Sequence, residues 1–134
     1  FGADTIDGGV GDDHIYDAEG DDLILAGEGN DTVFAGSGRD VIFGGAGNDW
    51  LSGGSGADIF GWDINADGTE IDVVLDFQKG ADLIRFTETS TGFSVSDLNI
   101  SYVNSNAYIR FNESEIELRG LSDGSLDASD FELA

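Results

Sequence analysis

The sequence predicts an all-β chain: a solenoid of short coils over residues 1–61, followed by a C-terminal cap of β-strands over residues 62–134. Three observations predict it. A nonapeptide recurs seven times between Phe1 and Gly61. Glycine then thins out at Trp62, with 16 of the 21 glycines lying in residues 1–61. No stretch shows sustained helical periodicity, whereas several later segments alternate apolar and polar residues as strands do.

The repeat comes first. Its clearest copies are Gly44-Gly45-Ala46-Gly47-Asn48-Asp49-Trp50-Leu51-Ser52 and Gly53-Gly54-Ser55-Gly56-Ala57-Asp58-Ile59-Phe60-Gly61. The sixth position is always aspartate: Asp4, Asp13, Asp22, Asp31, Asp40, Asp49 and Asp58. The eighth is always bulky and apolar: Ile6, Ile15, Ile24, Val33, Ile42, Leu51 and Phe60. The fourth is always glycine, from Gly2 to Gly56. Glycine at positions one, two and four supplies turn conformations that side chains resist. Six residues therefore make a tight turn and three make a short strand. Strand side chains alternate, so the eighth position points inward and its neighbours outward. A flexible Gly/Asp linker would not place an apolar residue at every ninth position. One turn with one carboxylate is a poor cation site, because calcium takes about six to eight oxygens. Stacked glycine-rich turns expose carbonyls at close range, and each adds an aspartate, so two turns together meet the count.

This stretch resembles the parallel β-roll of RTX proteins, which include serralysin-type proteases, secreted lipases, cytolysins and large adhesins. The resemblance implies a parallel β-roll in which two nonapeptides make one coil and each calcium lies between turns on the same edge. Carried over, the pairs are Asp4 with Asp22, Asp13 with Asp31, Asp22 with Asp40, Asp31 with Asp49, and Asp40 with Asp58. That implies at most about five calcium ions. The seven aspartates are the expected ligands, joined by carbonyls of the turn glycines Gly8, Gly27, Gly36, Gly44, Gly45, Gly53 and Gly54. The turn Asp17-Ala18-Glu19-Gly20 lacks both leading glycines, and Ala26 and Ala35 stand at position one, so those turns should be less regular. Arg39 puts a cation beside Asp40.

After the repeats, Asp63 to Glu70 reads as an acidic loop. Ile71 to Phe77 is strand-like, Gln78-Lys79-Gly80 a turn, and Asp82 to Phe86 another strand. Thr87 to Ser94 is a polar loop. Leu98 to Val103 and Ala107 to Phe111 form a hairpin around Asn104-Ser105-Asn106. Glu115 to Arg119 alternates, Gly120 to Asp127 turns, and the chain runs out through Ser129-Asp130-Phe131-Glu132-Leu133-Ala134. Asp72-Val73-Val74-Leu75-Asp76-Phe77 with Gly80-Ala81-Asp82-Leu83-Ile84 is similar to the segment that follows the last repeats in serralysin-type proteins, alginate-epimerase R-modules and large adhesins. Arg85-Phe86 departs from that pattern. Asp72, with Asp76, is a candidate to complete a last calcium site under the final turn; the alternative is a solvated acidic strand edge. The acidic residue and short apolar tail at the end resemble an uncleaved type I secretion signal.

Charge narrows the partners. Asp plus Glu number 28 against 5 Lys plus Arg, a net charge of -23. Residues 1–61 carry 13 acids against Arg39 alone, so the excess is spread over both parts. Nucleic acid and anionic membrane are poor partners for such a surface, and divalent cations are good ones. There is no cysteine, hence no disulfide and no thiolate metal site. No apolar run approaches the roughly 20 residues of a membrane span. No signal peptide is read at the N-terminus, and Phe1 falls in mid-repeat, so the chain is expected to be a piece of a longer protein.

An enzyme is not expected. His14 is the one histidine and sits at an outward strand position, and there is no His-Glu-x-x-His. Position seven reads Thr5, His14, Leu23, Thr32, Val41, Trp50, Ile59, which is not the flat threonine array of an ice-binding solenoid. The expected function is a calcium-binding module of a secreted, extracellular or cell-surface bacterial protein. The family likeness implies folding on calcium after passage through the type I secretion machinery, in support of an upstream catalytic or adhesive domain. The alternative is a polysaccharide-binding domain like an R-module, with Arg85, Arg110 and Arg119 beside Tyr102 and Tyr108. One further expectation concerns packing: the outward apolar set Leu23, Leu25, Val41, Phe43 and Ile59 should be covered by residues 62–134 or a neighbouring domain. The Tyr16, Phe34 and Trp50 face should be the more exposed.

Overall fold

The computed structural model describes residues 2–63, 69–87, 93–121 and 125–133. Its strands are β1 (Thr5–Asp7), β2 (His14–Tyr16), β3 (Leu23–Glu28), β4 (Thr32–Phe34), β5 (Ser37–Gly38), β6 (Val41–Ala46), β7 (Trp50–Ser52), β8 (Ser55–Gly56), β9 (Ile59–Asp63), β10 (Ile71–Val74), β11 (Leu83–Thr87), β12 (Asn99–Val103), β13 (Asn106–Phe111), β14 (Ser114–Arg119) and β15 (Phe131–Leu133). Short 3-10 turns occupy Val95–Asp97 and Ala128–Asp130.

The strands wind into a parallel β-roll. One sheet runs β1-β3-β6-β9-β11-β15, with every pair parallel. The facing sheet runs β2-β4-β7-β10-β14-β13-β12, parallel as far as β14 and antiparallel beyond it. Thr5 lies opposite Leu23, Leu23 opposite Val41, and Val41 opposite Ile59, so one coil consumes two nonapeptides. The eighth-position side chains meet between the sheets. Ile24, Val33, Ile42, Leu51 and Phe60 are fully buried, and Ile15 nearly so. Burying such a side chain is worth about 1.5–3 kcal/mol.

The core does not stop at the last repeat. Val74 sits between Leu51 and Leu118, and Ile84 between Phe60 and Phe131. One hydrophobic cluster joins Ile15 to Phe131. Strand β9 carries the chain across Gly61 and Trp62 without interruption. The expected strand Ile71 to Phe77 ends at Val74, because Asp76 turns back to accept the Gly53 and Gly54 N–H groups at 3.1 and 2.9 Å. Phe77 then folds onto Phe60, ring centroids 6.4 Å apart. The hairpin β12–β13 turns on Asn104 and Ser105, both left-handed at φ 50° and 68°, as a two-residue turn requires. The acidic loop, the Ser/Thr loop and the turn after Gly120 lie largely outside the described residues.

The expected cover over the Leu23/Leu25 face is not provided by the described part of residues 62–134. Strands β11 and β15 extend that sheet at its edge instead of lying across it. Leu23 and Leu25 keep 36% and 37% exposure, while Val41, Phe43 and Ile59 are half-buried. Strict register explains the partial burial: Leu23, Val41, Ile59 and Leu83 stack in one row, and the Phe43 ring lies over the bare backbone of Gly61. The opposite face is the more open one, with Tyr16 at 69% and Trp50 at 46%.

Candidate metal centre

Each sixth-position aspartate stands immediately before a strand, where the turn meets the sheet. Coiling stacks these residues on two edges. On one edge the Asp4 N–H donates to Asp22 Oδ1 at 2.7 Å, Asp22 to Asp40 at 2.9 Å, and Asp40 to Asp58 at 3.0 Å. On the other, Asp13 donates to Asp31 and Asp31 to Asp49, each at 2.8 Å. The pairs at a spacing of 18 residues are thus neighbours in space.

One oxygen of each carboxylate is used in this ladder. The other is not. Oδ2 of Asp13, Asp22, Asp31, Asp40, Asp49 and Asp58 is shielded from solvent and meets no donor, and so is Oδ2 of Asp17. Asp22 and Asp31 are 2% and 1% exposed, and Asp40, Asp49 and Asp58 are wholly buried. A buried carboxylate oxygen without a donor or counter-charge is costly. Burial accordingly pushes Asp49 up to about 7, opposed by the Asp31 N–H and reinforced by the charges of Asp72, Asp31 and Glu70. Burial likewise lifts Asp58 to about 6 and raises Asp40. A hard cation at these oxygens removes the penalty.

The glycines explain the space around them. A Cβ on Gly44 or Gly53 would run into the carboxylate of Asp49 or Asp58, and one on Gly8 would meet Asp13 Oδ2. Gly27, Gly36, Gly45 and Gly54 all have positive φ, between +91° and +117°, and each lies against the carbonyl of the residue one coil earlier. The Gly36 carbonyl also accepts the Ser55 N–H at 2.9 Å. Buried carboxylate oxygens thus line both edges beside turn backbone that carries no side chain, and such hard oxygens are the donors that calcium prefers. The residues fit the ion.

The cap ends both ladders differently. Asp72 accepts the Asp49 N–H at 2.8 Å and the Trp62 indole N–H at 2.6 Å, so both its oxygens have protein donors. Burial still lifts it to about 6, against those two bonds. Asp82 accepts the Asp58 N–H at 3.0 Å and the Gln78 N–H at 2.8 Å. Asp130, one coil further, takes the Lys79 ammonium at 2.9 Å. Asp76 stands off the ladder, bound by Ser52 and the Gly53–Gly54 amides. Sequence reasoning missed Asp82, whose place before β11 matches that of Asp58 before β9, and Asp17, an acid at position one. His14 is exposed and takes no part.

The arginine and tyrosine set does not form one groove. Arg85 points from the β1–β15 sheet and pairs with Glu132, while Arg110 and Arg119 lie on the other sheet beside Glu115 and Glu117. Tyr102 packs against the core, its hydroxyl accepting the Leu126 N–H.

Known proteins carry the same pattern. A family profile for the RTX calcium-binding nonapeptide repeat matches four copies, in residues 1–33 and 25–60. The AlgE6R3 subunit of the Azotobacter vinelandii mannuronan C5-epimerase is 30% identical, with a TM-score of 0.69, over 92% of this chain and 78% of that one. The AlgE6R2 subunit of the same enzyme is 24% identical, with a TM-score of 0.63, over 96% and 92%. The extracellular lipase LipA of Serratia marcescens shares the fold at 14% identity, TM-score 0.53, over 99% of this chain and 38% of that one. No curated protein sequence matches the chain. The chain belongs to the family of RTX calcium-binding nonapeptide-repeat proteins. It is a calcium-binding repeat domain with the parallel β-roll fold, similar to the R subunits of that epimerase.

Proposed function

We propose that this chain is a non-catalytic module whose fold is switched on by calcium outside the cell. Residues 1–61 form the calcium-binding roll, and residues 62–134 form its C-terminal cap. Asp4, Asp13, Asp22, Asp31, Asp40, Asp49 and Asp58 supply the carboxylates, and the turn glycines supply the carbonyls. In a cytosol poor in calcium, the unneutralised ladder keeps the chain open enough for type I export. Outside, calcium closes the coils and stabilises the larger extracellular bacterial protein of which the module is part. The observation that carries this is the row of buried Oδ2 atoms without donors. Ions that bind the folded state alone stabilise it in proportion to the logarithm of their concentration.

The test is far-UV circular dichroism in chelator, then in calcium. The spectrum should pass from coil to β, and magnesium should substitute poorly because it demands tighter octahedral geometry. The same β spectrum in chelator overturns the proposal.

A second reading, polysaccharide binding, has two observations in its favour. Two similar structures are subunits of an enzyme named for mannuronan, and this chain exposes aromatic rings beside arginine on one sheet face. Tyr16 stacks on Phe34 at 5.1 Å, and the Arg119 guanidinium lies 4.8 Å over the Trp50 ring. Titration of calcium-loaded protein with a polyuronate should quench Trp50 fluorescence if this face binds. An unchanged signal, with no heat in calorimetry, removes that reading.

A further inference from the structure

Position one of the repeat is occupied by Gly8, Ala26, Ala35, Gly44 and Gly53, none of which carries a polar side chain. The exception is Asp17. Its placement is not that of an exposed loop acid. Asp17 Oδ1 accepts the Ala18 N–H of its own turn at 2.7 Å, which holds the side chain down. Its Oδ2 is shielded from solvent and has no donor. One oxygen each from Asp4, Asp17 and Asp22 lie within 4.8 Å of one another, the one such three-carboxylate group among the described residues.

A cluster of acids alone is no site, but Asp22 adds an independent sign. It is 2% exposed, it spends Oδ1 on the Asp4 N–H at 2.7 Å, and its buried Oδ2 has no donor. The Gly2 carbonyl lies against the Gly20 backbone beside Asp22 Oδ1, where a Cβ could not fit, so a neutral oxygen is close too. Among the described residues, no lysine or arginine reaches ion-pair distance of Asp4, Asp17 or Asp22. Three carboxylates converge, with no lysine or arginine between them among the described residues.

We propose that Asp17 is a calcium ligand, and that Asp4, Asp17 and Asp22 form a three-carboxylate site unlike the two-aspartate rungs downstream. The inference rests on the ladder being a calcium site at all. Ligand charge sets calcium affinity in oxygen sites, so this one fills first and holds its ion about tenfold or more tightly than the others. It favours hard cations of high charge, and trivalent lanthanides above calcium. It clamps the coil that carries β1 to the coil that carries β3.

Terbium tests it in the full chain, because Tyr16 is adjacent to Asp17 and sensitises terbium emission. The first equivalent of terbium should give tyrosine-sensitised emission that calcium displaces last, and Tyr16→Phe should remove most of that signal. In Asp17→Gly, which restores the repeat's own residue, and in Asp17→Asn, which keeps the size and the bond to Ala18, this tight class should weaken about tenfold or more. Both variants should still gain β structure in saturating calcium. An unchanged tight class in Asp17→Asn, or a parent protein whose sites are all equal, overturns the proposal while leaving calcium-induced folding intact. A parent protein that binds no calcium overturns the calcium reading itself, and this inference with it.

Discussion

Asp49 shows the logic of the molecule at the scale of one residue. Its backbone N–H serves Asp72, its Oδ1 serves Asp31, and its Oδ2 is left buried with no protein partner. Gly44 makes room for that oxygen, since any Cβ there would occupy its place. The metal-free fold must therefore hold protons. Asp49 rises to about 7, and Asp58 and Asp72 to about 6, from an ordinary value of 3.8, chiefly through burial. Raised carboxylates mean that the folded state binds more protons than the unfolded chain between those values. Their contribution to the metal-free fold is thus present at low pH and lost as pH rises toward 7. In chelator, β content should grow as pH is lowered from about 7.5 to about 5, and calcium affinity should fall over the same window because protons compete for the same oxygens. Circular dichroism and calorimetry read both effects; β content that falls on acidification contradicts the assignment. Position two gives a second prediction. Gly45 has φ +97° and lies on the Gly27 carbonyl, so Gly45→Ala should cost about 1–3 kcal/mol of stability in calcium, read by denaturant unfolding.

At the scale of the element, the repeat was legible and its continuation was less so. The period of nine gives turn, strand, inward apolar residue and aspartate in every copy, and each of these is local. The cap strands announce themselves by alternation, but their partners are distant in sequence. Asp72 pairs with Ile116, and β12, β13 and β14 intervene between β11 and β15 as an antiparallel excursion on the facing sheet. No periodic signal marks such pairing. The same limit explains the Leu23/Leu25 face: apolar residues on it suggested a covering layer, whereas in-register stacking along the sheet already buries part of each. Asp82 was also hidden, because the spacing from Asp58 is no longer the repeat's. Since Asp72 and Asp82 accept the Asp49 and Asp58 N–H groups, and β10 and β11 cover Leu51 and Phe60, the roll lacks its last rung without the cap. A chain truncated after Gly61 should remain largely unfolded even in calcium. Full β structure in that fragment would show that the rung is dispensable.

For the whole molecule, the acidic surplus and the fold describe one device. A net charge of -23 opposes compaction, and a two-sheet roll with one large inward side chain per repeat has a thin core. The cap closes its own carboxylates with protein donors: Trp62 for Asp72, Gln78 for Asp82 and Lys79 for Asp130. The repeats leave theirs open. On the proposed reading, that division assigns calcium dependence to residues 1–61, where the buried carboxylate oxygens have no protein donor. The most direct measurement is a crystal structure grown in calcium, with anomalous diffraction locating the ions. The account predicts peaks on both edges of the roll at about 2.3–2.6 Å from Oδ2 of Asp22, Asp31, Asp40, Asp49 and Asp58. Oδ2 atoms hydrogen-bonded to water or amide groups, with no anomalous peak beside them, would contradict it.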